Sequence, residues 1–67
     1  MQTRLELNSV FYDAQDIELA RQAFASQAKI TVEPGDAYIG VVFDAEHLSV
    51  TIALEFTNAV MHYRQNR

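Results

Sequence analysis

The side chains in this sequence that could do chemistry lie mostly toward its C-terminal end. Glu55, Asn58 and His62 stand at i, i+3 and i+7, a spacing that lines all three along one polar edge of a helix. With His47 nearby, a carboxylate, an amide and two imidazoles could gather around a divalent ion. The set lacks a histidine pair at i, i+4 and a second carboxylate, so it matches no recognised ligand motif. It reads as solvated side chains on a helix edge, and neither a metal nor a cofactor is expected. Glu55 has a plainer role as an early helical carboxylate favoured by the helix dipole. Ser9, Ser26 and Ser49 are hydroxyl nucleophiles by type, but none sits in a G-x-S-x-G elbow, and two glycines are too few for a phosphate-cradling loop. Asp13, Asp16, Asp36 and Asp44 fall where helix starts and turns are expected, and acidic residues belong there for structural reasons. The absence of cysteine removes thiolate zinc sites, disulfides and thiol nucleophiles together. A chain of 67 residues also struggles to enclose a substrate pocket. No catalytic residue is expected, and the chain does not read as an enzyme.

The elements that would position these groups follow from periodicity. Leu5 and Leu7 alternate with Arg4, Glu6 and Asn8, a half-buried strand running on towards Phe11. Asp13 then opens a helix extending to about Ala28, its carboxylate capping the first turn and Asp16 and Glu18 suiting the positive dipole end. Ile17, Ala20, Phe24 and Ala28 form its apolar stripe. Ile30 and Val32 give a short second strand. Glu33-Pro34-Gly35-Asp36 reads as a turn, with proline presetting φ at its second position and glycine accepting a positive φ at its third. Ala37 to Phe43 is apolar and β-rich, as a central strand of a hairpin would be. Gly40 within it marks a bulge, the close approach of another backbone, or a tolerated glycine beneath a packed helix.

Residues 48–54 score as a strand by alternation, but the same stretch enters the helical stripe Ile52, Phe56, Ala59, Tyr63. With no glycine or proline between 48 and 63, and Ser49 available as a cap, a helix is the better reading. The order β-α-β-β-α predicts an α+β two-layer sandwich: a three-stranded antiparallel sheet with both helices on one face and a right-handed crossover between the outer strands. One small domain is expected over 1–67, with 64–67 as a frayed tail.

Composition narrows the function classes. Five Lys and Arg against nine Asp and Glu give a net charge of −4, against the clustered basic residues that nucleic acid requires. No apolar run approaches the roughly 18 residues of a membrane span, and no charged segment precedes an apolar one, so no membrane partner and a cytoplasmic location are expected. A chain of this size buries only about 60% of its unfolded surface. With disulfides excluded, association is the favoured remedy, as a homo-oligomer or with a larger protein.

The second helix points the same way. Ile52, Phe56, Ala59 and Tyr63 suffice to cover the protein's own sheet, which leaves Val50, Leu54 and Met61 on roughly the opposite side. Leu19 and Ala23 of the first helix could cover part of that second face. The remainder is expected to meet a partner, so Val50, Leu54, Glu55, Asn58 and Met61 are the candidate partner-binding residues. Addition of an extended peptide to an exposed strand edge, either 4–11 or 29–33, is a second route. An alternative is a homo-oligomer that builds a ligand or metal site from Glu55, Asn58 and His62 at its subunit interface.

Two segments carry a family likeness. Phe11-Tyr12-Asp13-Ala14-Gln15-Asp16-Ile17-Glu18-Leu19-Ala20 resembles a strand-end tyrosine followed by a helix with a buried alanine. Glu55-Phe56-Thr57-Asn58-Ala59-Val60-Met61 resembles an E-F-x-N signature followed by hydrophobic residues. With a hairpin between them, the pair is similar to the HxsD-like small proteins of the His-Xaa-Ser system, encoded beside radical S-adenosylmethionine enzymes that modify peptides. Ala59 departs from that pattern, which has an aromatic residue there. The resemblance implies an accessory or binding subunit of a maturation system, with a radical S-adenosylmethionine maturase as partner, and it carries no activity over to this chain.

Overall fold

The structure is a computed structural model that describes residues 2–45 and 49–66, the Ser49 side chain excepted. It contains β1 (Gln2–Asn8), α1 (Ala14–Ala23), β2 (Lys29–Glu33), β3 (Tyr38–Asp44) and α2 (Ser49–Gln65). The sheet order is β1-β3-β2 with both pairings antiparallel, so β3 is central and β1 and β2 are the two edges. This is the expected α+β architecture, with a helix rather than a fourth strand beginning at Ser49.

Alternation along the strands assigns the two faces. Leu5 and Leu7 lie opposite Val41 and Ile39, while Ile30 and Val32 lie opposite Phe43 and Val41, and all seven join the apolar core. Arg4, Glu6, Thr31 and Glu33 are exposed on the other face. Ile17 and Ala20 from α1 and Ile52, Ala53, Phe56 and Val60 from α2 complete the core. Phe56 is its hinge between layers. Its ring meets Phe43 of the sheet edge-on at 5.0 Å and Phe24, just beyond α1, at 5.8 Å. Edge-to-face pairs of this kind add about 0.5–1.5 kcal/mol each beyond burial.

Several boundaries differ from the sequence reading, each for a local reason. β1 ends at Asn8 rather than continuing to Phe11, because the Asn8 carbonyl accepts from the Phe11 and Tyr12 amides and its side chain accepts from the Val10 amide. That side-chain bond competes with strand pairing, as asparagine does at turns. Asp13 does cap α1, accepting from the Gln15 amide at 2.8 Å. The helix, however, stops at Ala23, and residues 24–27 turn through bonds from the Gln27 and Ala28 amides to the Phe24 carbonyl. Ala28 is still buried, but from the turn rather than from a helical stripe. Ending the helix there lets the chain reverse into β2.

The 33–36 segment is a broader loop than a four-residue turn: the last β2 pair is Glu33↔Gly40, and β3 runs on past β2 to pair with β1. Gly35 does not adopt a positive φ. A Cβ there would strike the Tyr38 carbonyl oxygen, so close approach is what requires glycine. Asp44 closes β3, opposite Gln2 and Lys29, and is not in a turn. The tail expected from residue 64 is instead helical through Gln65, with Arg64 Nη1 donating to the Phe11 carbonyl. The cap at Ser49 rests on a side chain outside the described residues, as does any role for His47.

Candidate functional site

α2 presents two faces, as its sequence requires. Toward the sheet, Phe56 and Val60 are fully enclosed, Ile52 and Ala53 nearly so, and Ala59 and Tyr63 are half-buried. The centre of the buried stripe therefore falls between Phe56 and Val60, further around the helix than the Ile52–Tyr63 reading placed it. Turning by 100° per residue puts Val50, Leu54 and Met61 within about 40° of one another on the far side. Val50 is 59% and Leu54 64% exposed, and Met61 is half-buried. Leu19 and Ala23 do not cover this face: Ala23 is exposed and Leu19 is itself 42% exposed.

Asn58, Glu55 and His62 run alongside that apolar stripe and are all exposed. Glu55 lies beyond the first turn of α2, where the dipole has largely faded, so the expected dipole role does not hold. Asn66 donates its side-chain amide to the His62 carbonyl at 2.8 Å and lies 3.3 Å from His62 Nδ1. Among the described residues no three His, Cys, Asp or Glu side chains converge as a metal site would.

Glu55 is the only Asp, Glu, Lys or Arg from Ser49 to Tyr63, whereas charge is plentiful elsewhere. On α1, Arg21 Nε donates to Glu18 Oε2 at 2.8 Å, and this bond holds the Glu18 carboxyl below its ordinary pKa. On the open face of the sheet, Arg4 reaches from β1 over the central strand to Glu33 on β2 and also donates to Glu6 at 2.8 Å. Glu33 first and Glu6 second raise the Arg4 pKa further. Gly40 lies beneath this bridge, not beneath a helix: an added Cβ would come within 2.7 Å of Arg4 Nη2 and 3.3 Å of Glu33 Oε1. The close approach is thus by a guanidinium.

Two features carried no clear sequence signal. Asp16 is wholly shielded from solvent in the first turn of α1, although its position there only foretold a favourable dipole. Val10, Phe11 and Tyr38 are exposed at one end of the sheet, where the Ser9 amide bonds the Ala37 carbonyl at 3.0 Å and Asn8 pairs with Tyr38. The strand reading of 4–11 hid this patch, since it made Phe11 part of a ladder. Among the described residues no helix is long and apolar enough to cross a membrane.

Comparison of the chain with protein families, with curated proteins and with solved structures gives no match.

Proposed function

We propose that this chain is a non-enzymatic accessory domain that binds a protein partner through the outer face of α2. The observation that carries the reading is the pair Val50 and Leu54, one helical turn apart and more than half exposed. Their stripe is nearly free of charge, and the centres of protein interfaces are similarly depleted of charged residues. Exposed apolar patches of this sort mark interaction sites. Met61 supplies an adaptable thioether at one end of the stripe, while Asn58 and Glu55 supply directional polar contacts along its side. A complementary apolar helix or groove would fit there as helix-in-groove partners do. The likeness to HxsD-like proteins makes a radical S-adenosylmethionine maturase the proposed partner class, acting in the cytoplasm.

The test is in-cell crosslinking of the tagged chain in its native host, read by mass spectrometry, alongside Leu54→Asp. The expected result is that α2 crosslinks to a larger protein and that Leu54→Asp loses them with its far-UV circular dichroism unchanged. Undiminished capture by Leu54→Asp refutes the reading. Crosslinks to copies of this chain alone would replace it with self-association, and loss of fold in Leu54→Asp would return Leu54 to the core.

A further inference from the structure

The topology leaves both β1 and β2 with an unpaired edge among the described residues, but the two edges are not equivalent. α2 packs across β1 and β3, whereas neither helix makes more than slight contact with β2. Because α1 stops at Ala23 and turns through residues 24–27, a shallow cleft of about 460 Å³ opens beside the start of β2. Arg21, Ala25, Ala28, Lys29 and Ile30 line it. Ala28 and Ile30 are its buried apolar lining, and Ala25 is exposed. Its two cations are Lys29 and Arg21, the latter already paired with Glu18.

We infer that the β2 edge binds an extended peptide that alternates apolar and acidic residues, added as a fourth strand. Successive side chains of a strand point to opposite faces. On the helix side, apolar side chains of the added strand enter the cleft over Ala25, Ala28 and Ile30. On the open side, acidic side chains meet Lys29, which alternates with the core-facing Ile30 and has no ion-pair partner among the described residues. Arg21, on the helix side, is already paired along α1 with Glu18, so Lys29 carries the charge preference. Asp44 stands opposite Lys29 on the inner neighbour β3 and Glu33 shares the same face of β2, so the attraction for a carboxylate is confined to the Lys29 end of the outer edge. Main-chain bonds to the free edge supply affinity, and the alternating pattern supplies selectivity. The inference stands apart from the α2 face, which lies on a different element.

The experiment titrates the ¹⁵N-labelled full chain with three capped heptapeptides: alternating valine and glutamate, the same with lysine for glutamate, and the first with proline at two central positions. The expected result is that the acidic peptide shifts the amides of residues 29–33 and slows their hydrogen exchange. It should bind at least about fivefold more tightly than the lysine peptide, the proline version should not bind, and Lys29→Glu should weaken the acidic peptide about fivefold. Equal binding of the lysine peptide, shifts confined to β1 or α2, or no shift at millimolar peptide each overturn the inference. Leu54→Asp serves as the control: it should leave this titration unchanged, so failure here and failure of the α2 reading are told apart.

Discussion

Gly40 offers a sharp test of how the open face of the sheet is built. Its backbone does not require a positive φ, so alanine is conformationally permitted there. Replacing an interior strand glycine with alanine at a compatible site gains about 0.4–1 kcal/mol, chiefly by restricting the unfolded chain. In this protein the new Cβ would stand 2.7 Å from Arg4 Nη2 and 3.2 Å from Cζ. The guanidinium must therefore retreat by about 0.7 Å to reach an ordinary 3.4 Å contact, which pulls it off Glu33. Gly40→Ala alone should thus gain less than the full amount or lose stability. In an Arg4→Thr background the guanidinium is gone and the remaining neighbour, Glu33 Oε1 at 3.3 Å, is the far end of an exposed side chain that can give way, so the same substitution should gain about 0.4–1 kcal/mol. Urea unfolding followed by circular dichroism reads the difference. With a slope of about 1 kcal/mol per molar for a domain this small, the Arg4→Thr pair should differ by about 0.4–1 M in midpoint. Equal effects of Gly40→Ala in both backgrounds would refute the overhang. A loss above about 1 kcal/mol in both would show that the backbone itself demands glycine.

Phe56→Ala, which empties the space between Phe43 and Phe24, should cost about 3–5 kcal/mol and leave little or no cooperative melt, whereas Leu54→Ala should change the melting midpoint only slightly. Asp13→Ala, measured by urea unfolding, should cost about 1 kcal/mol through loss of the bond to the Gln15 amide, with Asp13→Asn nearly neutral. Because Glu18 has a lowered pKa when folded, its pairing with Arg21 contributes stability in full above the ordinary glutamate value and loses it as the pH falls through the lowered one. A carboxyl ¹³C titration should place Glu18 below the ordinary value and return it upward in Arg21→Gln. A chelator should leave the melting midpoint unchanged, since Glu55, Asn58 and His62 are exposed and no described cluster converges on an ion; a fall in midpoint would revive the metal reading.

Local chemistry alone was enough to read the element order, the central place of β3 and the Asp13 cap, since alternation, helical periodicity and capping depend only on near neighbours. The two-faced character of α2 was legible for the same reason: a helix of seventeen residues that is apolar on two faces cannot bury both on one thin sheet. What distance in sequence concealed, the tertiary structure decided. The centre of the buried face falls between Phe56 and Val60, with Ala59 only half-buried, because the roll of α2 is set by Phe43 and Phe24 pressing on Phe56. α1 ends five residues early because the chain must turn back to place Ile30 opposite Phe43. Gly40 sits under Arg4 because the order β1-β3-β2 brings a β1 side chain across the middle strand to Glu33, a reach spanning 29 positions of sequence. The same order leaves β2 at an edge, beside the cleft that the shortened helix opens.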